Sequence, residues 1–449
     1  MTAQQQPESG VGARVRKLRL ESGLSQQDIS SEEISPSYVS LIEAGKRLPS
    51  KAVVELLAAR LGCEPEYLLT GRDRSQVDSA RLQVTSGEVL LARGDAESAL
   101  ASFSVALEFP RLLPSDLTRR ARLGQARALE RLGRLEAAIP NLQGLLDEGD
   151  LVPGTVPWAE AVVALVRCLR TVGDYTASIE IGERALREIR ALGLDTSDDY
   201  ILLGVAVAGA HWARGDLATA QYQLHRMLEI AATHASPAAR GSVYWNASLV
   251  ARSRGSLNQA VAFAERALAL ISEGDNERHL GLVKRVYGSL LLETDPPQPR
   301  AARTFLTEAM ETLRATGNLF EQAGCEVRLG RAELALGNYA AAREHAQSCI
   351  GRIGHTSHPH HAEVLVLLAE AQMATGEQED AEASLHAAAE AAHGISPVRD
   401  AAGIWRQIGD VWLRAGREGE AVRAYQAGLG AAGVREQHGA PVRPPLEQP

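Results

Sequence analysis

Residues 24–50 read LSQQDISSEEISPSYVSLIEAGKRLPS, and the start and stop signals inside this run decide how the first part of the chain folds. Ser25 stands three residues ahead of Asp28, a carboxylate form of the capping box in which each side chain reaches the other's backbone amide. Ser35 followed by Pro36 starts another helix, because proline at the first helical position forfeits no hydrogen bond and presets φ. Gly45 ends that helix, Ser50 caps the next, Gly62 ends it, and Pro65 opens a last short one that stops at Gly71. With a basic helix ahead of Leu24, the segment from Val11 to Gly71 is expected to form five short helices. Val15, Leu18, Leu24, Ile29, Ile34, Val39, Ile42, Val53, Leu56, Leu57 and Leu61 recur at three- and four-residue spacing and can close one small core.

The second and third of these helices, joined by a tight turn, have the layout of a helix-turn-helix. The run resembles the Xre/lambda-repressor-like family, whose pattern is roughly Leu-Ser-Gln, then Ser-x-Ser-Tyr, then Ile-Glu-x-Gly-x-Arg-x-Pro. The resemblance implies that Gln26 opens the second helix against a phosphate. It further implies that Pro36, Ser37, Ser40 and Leu41 face bases with Tyr38 beside them, and that Lys46 and Arg47 touch backbone phosphates. It also implies a charge pair between Arg19 on the first helix and Glu43. One departure stands out. The small Ala-Gly pair usual in the turn is missing by one residue and Glu32-Glu33 replaces it, so the turn must close differently and two carboxylates lie near a phosphate track. Ser37, Ser40 and Leu41 are also weak base readers beside Arg, Asn or Gln, which leaves a thymine methyl against Leu41, or DNA shape, as the source of specificity.

Charge favours nucleic acid only through its distribution. The chain is net −9, so no global field draws it to DNA. Within residues 11–71 eight basic side chains meet eight acidic ones, but Arg14, Arg16 and Lys17 bunch on the first helix and Lys46, Arg47 and Lys51 follow the third.

From residue 79 the chain repeats itself. Gly94, Gly133, Gly173, Gly215, Gly255, Pro297, Gly337, Gly376 and Gly416 mark turns at spacings of 39 to 42 residues. Five residues beyond each stands Ala99, Ala138, Ser178, Ala220, Ala260, Ala302, Ala342, Ala381 or Ala421, the small side chains that two closely crossing helices need. These positions resemble those of the tetratricopeptide repeat (TPR), here nine helical hairpins with a longer connection than the usual 34-residue period. Such hairpins are expected to stack into a right-handed superhelix whose concave face is lined by each first helix. Counting back from the turns places Arg120, Arg127, Arg131, Arg167 and Arg170 on one wall, with Arg252 further along. Trp212, Trp245 and Tyr287 follow, and Asn246 sits where it can hold a peptide amide. Guanidinium forks beside aromatic faces suit an extended peptide with acidic groups or a free C-terminus. The competing reading packs the tryptophans between hairpins and leaves the arginines solvated.

Other chemistry finds little support. There is no glycine-rich phosphate loop, nucleophile elbow or HExxH, so no enzyme activity and no cofactor is expected. Cys63, Cys168, Cys325 and Cys349 are far apart without a CxxC, which argues against a disulfide framework or a zinc site. His355, His358, His360 and His361 form a metal-like cluster, but it falls in a connection between repeats with no carboxylate or thiol at a fixed offset, and it is read as surface histidines. No run of eighteen apolar residues spans a membrane and the polar start MTAQQQPESG is no signal peptide, so a cytoplasmic protein is expected. The dominance of arginine over lysine resembles a high-GC bacterial genome.

The expected organisation is all-α. Residues 1–10 form a disordered start, 11–71 the helix-turn-helix domain, 72–78 a linker, 79–433 the TPR-like array of about nine hairpins, and 434–449 a disordered proline-rich tail. An Xre-like reader followed by a TPR array resembles the peptide-responsive RRNPP regulators of Gram-positive bacteria, although nine repeats exceed the five to eight expected there. That resemblance implies a homodimeric transcriptional regulator with two partners, double-stranded DNA and a peptide or protein in the TPR groove. The alternative is an interaction scaffold whose helix-turn-helix is vestigial or binds protein.

Overall fold

A computed structural model describes residues 10–71, 74–108, 113–149, 151–274, 276–354, 358–395 and 398–433. The expected disordered ends at 1–9 and 434–449, and His355, lie outside the described residues. Within them there are twenty-two helices and no strand, and no helix is long and apolar enough to cross a membrane. The chain divides into two compact units, one running to Leu129 and one starting at Glu130.

The first unit opens with α1 (Val11–Glu21), α2 (Pro36–Glu43), α3 (Lys51–Leu61) and α4 (Pro65–Thr70). The starts and stops are those written in the sequence. Ser35 Oγ accepts from the Tyr38 amide, Ser50 Oγ accepts from the Val53 amide, and Gly62 and Gly71 end their helices at positive φ. Val15, Ile29, Ile34, Val39, Ile42, Val54, Leu57, Ala58, Leu61 and Leu68 make the core, while Leu18, Leu24, Val53 and Leu56 pack at its edge. Arg14 ties α1 to α4, donating from Nε to the Leu68 carbonyl and from Nη2 to the Leu69 carbonyl, both at 2.8 Å. α1 and α2 approach so closely at Gly12 that any Cβ there would overlap the Ile42 carbonyl oxygen.

The expected five helices are four. Residues 25–29 form a single turn held by i→i−3 bonds, Asp28 N to Ser25 O and Ser30 N to Gln27 O. The Ser25/Asp28 box does form, since the Ser25 amide donates to Asp28 Oδ2 at 2.7 Å and the Asp28 amide to Ser25 Oγ at 3.2 Å. Propagation fails instead. Ser30 bonds back to the Gln27 carbonyl, and the Ser31 and Ile34 backbones pair with each other, so the chain has turned before a second helical turn can repay nucleation.

The rest of the first unit holds α5 (Arg74–Ala92), α6 (Ala96–Ala106) and most of α7 (Ser115–Arg131). Residues 74–78, read as linker, are the first turn of α5. Phe103 fills the space left by two glycines, Gly87 on α5 and Gly124 on α7.

In the second unit, first helices α9 (Val156–Val172), α11 (Asp198–Arg214), α13 (Pro237–Ser253), α15 (Glu277–Leu291), α17 (Leu319–Ala335), α19 (Pro359–Ala374) and α21 (Val398–Arg414) alternate with second helices. These are α8 (Leu135–Asp147), α10 (Tyr175–Ala191), α12 (Leu217–His234), α14 (Leu257–Ile271), α16 (Pro299–Thr316), α18 (Tyr339–Ile353), α20 (Gln378–His393) and α22 (Glu418–Ala431). Eight of the nine repeat turns are glycines at positive φ, and the small residue five places on is at most 1% exposed in all nine. Those side chains let the helices of a hairpin cross in contact. First helices also touch their successors, α9 to α11 and α11 to α13 in one run and α15 to α17, α17 to α19 and α19 to α21 in another. The array curves, because the Gly133 turn comes against Phe320 at the start of α17.

Candidate functional site

α2 presents one side to solvent because its other side, Val39 and Ile42, closes the core. Pro36, Ser37, Ser40 and Leu41 are exposed along that side. The helix ends in a turn in which the amides of Lys46 and Arg47 both reach the Leu41 carbonyl, and this brings the two cations directly beneath the helix. Lys46 and Arg47 are exposed, and the Arg47 guanidinium lies 5.3 Å from the ring centroid of half-buried Tyr38. Seven of the eight residues expected on a nucleic-acid face thus gather on one edge and the turn beyond it.

Gln26 is the eighth and points elsewhere. Its Nε2 donates to Glu43 Oε2 at 2.7 Å, so the phosphate contact that the resemblance implies would require the amide to leave this bond. The reason is Glu43, whose side chain is sheltered from water and must be paired. Arg19 meets it with Nε on Oε1 at 2.6 Å and Nη2 on Oε2 at 3.0 Å, and gives Nη1 to the Leu24 carbonyl. Burial pushes the Glu43 carboxyl up, but the bonds from Arg19 and Gln26 and the charges of Arg19 and Arg16 together hold it below the usual carboxylate range. Glu32 and Glu33 are exposed just ahead of α2.

The groove residues are mostly committed. In the first unit Arg120 forks onto Glu88 at 3.0 and 2.7 Å, and Arg127 is half-buried. In the second, Arg167 forks onto Glu130 at 2.7 and 2.9 Å and Arg252 pairs with Glu293, while Arg131 is half-buried. Trp212 Nε1 donates to Ser253 Oγ at 2.9 Å, and Asn246 Nδ2 to the Ser242 carbonyl one turn back on its own helix. Tyr287 stands edge-on to Phe305 at 4.8 Å and donates to Glu265; burial pushes its phenol up to about 12. Trp245 packs against the core beside the His279 ring, its Nε1 buried with no hydrogen-bond partner among the described residues. These three aromatics therefore pack largely within and between hairpins, and of the three Trp245 has a polar atom without a partner among the described residues.

Arg170 differs from its neighbours. No ion pair or hydrogen bond reaches its guanidinium among the described residues, and it lies so close over α11 that a Cβ at Gly209 would collide with Nη1. Burial and the charge of Arg167 lower its pKa.

Sequence reading missed the ladder that runs along the later first helices. Arg278 forks onto Glu321, Arg328 onto Glu363 and Arg331 reaches Glu370, each about one repeat apart. His360 Nδ1 sits 2.8 Å from Glu363 Oε2, and His358 stacks on Phe320 at 4.1 Å. The signal was available: an Arg and a Glu separated by one repeat period fall side by side on adjacent first helices. Two of the clustered histidines thus have structural neighbours of their own, and His361 is buried. Cys168, Cys325 and Cys349 are buried too, which pushes their thiols up to about 12, 11 and 11, the opposite of an activated nucleophile.

Comparison with known proteins agrees with this architecture. Residues 15–68 match the helix-turn-helix family, residues 80–153 and 123–191 match one tetratricopeptide-repeat family, and residues 333–399 match another. The chain therefore carries a helix-turn-helix domain followed by TPR repeats. No curated protein matches it. Among solved structures it is similar to a Rap protein complexed with competence and sporulation factor, 11% identical over 80% of this chain and 100% of that one, TM-score 0.53. It is also similar to the apo quorum sensor NprR of B. thuringiensis, 12% identical over 79% of this chain and 99% of that one, TM-score 0.51. At these identities the likeness is one of fold.

Proposed function

We propose that this chain is a cytoplasmic transcriptional regulator that binds double-stranded DNA as a homodimer through α2 and takes its input from a peptide or protein held by the TPR repeats. The observation that carries the reading is the exposed edge of α2, with Pro36, Ser37, Ser40 and Leu41 above Lys46 and Arg47, in a domain that matches the helix-turn-helix family. Short polar side chains on such a helix reach base edges, and the two cations beneath it neutralise phosphates and fix its register. The input half draws on the fold shared with a factor-bound Rap protein and a quorum sensor, and on the first helices with their arginines and Trp245. No reaction is assigned to any residue.

The rival, an interaction scaffold, draws on Gln26 being turned inward and on Glu32 and Glu33 facing the same solvent as α2. The two readings part on one experiment. Affinity of the full chain for native promoter DNA is measured against random competitor, with and without culture extract, for the parent and for Trp245→Ala. The regulator reading expects preference for promoter DNA and a shift of that affinity by extract in the parent. Equal binding to promoter and competitor DNA would favour the scaffold.

A further inference from the structure

On α15 the ladder of ion pairs leaves Arg285 without a carboxylate among the described residues. Arg278 and Arg285 lie seven residues apart on α15, hence on one helical face. Arg278 meets Glu321 on α17. Seven residues beyond Glu321, where Arg285 would look for its own carboxylate, α17 carries Arg328, and Arg328 is already forked onto Glu363 at 3.1 and 3.1 Å. Arg285 has no hydrogen bond or ion pair among the described residues, although it is half-buried. Its Nη1 instead lies over Gly324 of α17, inside the space a Cβ would fill. His360 Nε2 converges on the same point from α19, 2.6 Å from that absent Cβ. The ring is aimed there by its other nitrogen, which is bonded to Glu363.

A guanidinium taken half out of water without a bonded counter-charge is costly, and a bound carboxylate would remove that cost. Burial, with the charge of Arg328, lowers the Arg285 pKa, against the opposing pull of the Glu321 and Glu363 carboxylates, neither of which bonds to it. The glycine is part of the arrangement. With no side chain at this position, Arg285 Nη1 and His360 Nε2 come down side by side onto the backbone of α17, two nitrogen donors converging on one point.

We propose that Arg285, with His360 beside it over Gly324, anchors one carboxylate of the ligand that the TPR repeats bind. This rests on the reading of the first helices as a ligand surface. The carboxylate belongs to a free peptide C-terminus, to an acidic side chain or to a small organic acid, and the fork geometry of arginine suits all three.

The test is protection of Arg285 from phenylglyoxal in the full-length protein, read by peptide mapping. Four probes are used: sodium acetate, a heptapeptide pool without Asp or Glu and with free C-termini, the same pool amidated, and an amidated pool containing Asp and Glu. At least one carboxylate-bearing probe should slow modification of Arg285 tenfold or more, and which one does so identifies the source. The amidated acid-free pool should have no effect. Gly324→Ala should abolish the protection, because its methyl group displaces both donors. Arg285→Gln should melt at or above the parent temperature, whereas Arg328→Gln, which strands Glu363, should melt below it. Equal protection by all pools, or by none of the probes, would overturn the anchor, as would a melting loss in Arg285→Gln as large as in Arg328→Gln. Promoter affinity measured in the same samples separates the two readings. Protection without any change in DNA binding keeps the anchor and removes its regulatory role, and an effect of extract on DNA binding that persists in Arg285→Gln removes the anchor alone.

Discussion

Arg19 and Glu43 form a two-bond fork between α1 and the end of α2, with side chains only 11% and 5% exposed. A pair this sheltered behaves asymmetrically. Removing one partner strands a buried charge at a cost of about 3–5 kcal/mol, while replacing both by apolar residues of similar volume restores much of it. Glu43→Gln should therefore ease opening of α1 and α2 by roughly that amount, seen as faster amide exchange over residues 11–43 of the full chain. Exchange at the parent rate would mean that Gln26 and water suffice to hold Arg19.

Gly12 gives a prediction whose sign is decided by geometry. Alanine is the better helix former by about 1 kcal/mol, so an unobstructed Gly12→Ala would stabilise α1. Here the methyl would overlap the Ile42 carbonyl, which is backbone and cannot rotate away, so the two helices must part. A net loss of about 1–3 kcal/mol is expected in chemical denaturation. A gain would show that α1 and α2 are not in this contact.

The two parts of the nucleic-acid face should separate by salt. Changing Ser37 and Ser40 to Ala should lower discrimination between operator and random DNA more than total affinity. Changing Lys46 and Arg47 to Gln should lower affinity for all sequences and flatten its salt dependence by about one unit of slope for each phosphate no longer neutralised. Titrations at several salt concentrations read both, and an unchanged slope in the Lys46/Arg47 variant would place those cations away from phosphate.

Acid should destabilise the repeats before it reaches the carboxylates. Burial pushes His279 down to about 4, aided by the charges of Arg278, Arg167 and Arg131, and pushes His358 down to about 4, aided by His360. Both are neutral in the folded chain at pH values where the unfolded chain begins to protonate them. The unfolded state then binds more protons, so stability is full above about 6.5 and falls as pH drops toward 4. Denaturation midpoints between pH 7 and 4 measure this, and His279→Gln should make the decline shallower. An identical decline in that variant would assign it to other groups.

The helices around α2 and the repeat turns were legible because their signals are local: a capping serine before proline, a glycine at eight of the nine turns, an alanine or serine five residues later. The helix expected at Ser25 failed although its capping box formed, because a box reports nucleation and the next six residues decide propagation. The groove was less legible for the opposite reason. Counting positions back from each turn puts Arg120, Arg167 and Arg252 at equivalent places on their helices, but their charge is spent on Glu88, Glu130 and Glu293, each roughly one repeat away. Arg285 went unnoticed because what distinguishes it is a missing partner, and that appears only when α17 is laid beside α15.

Reading of DNA sequence by α2 is measured by selection of bound fragments from random duplexes with the full chain. A dimer that presents two α2 helices should enrich an inverted repeat whose half-sites lie about one helical turn, roughly 34–36 Å, or a multiple of it apart. The same selection with Ser37 and Ser40 changed to Ala should lose the motif while still retaining DNA. Recovery of unenriched sequence by the parent protein, at the same salt and with Lys46 and Arg47 intact, would contradict sequence reading by α2.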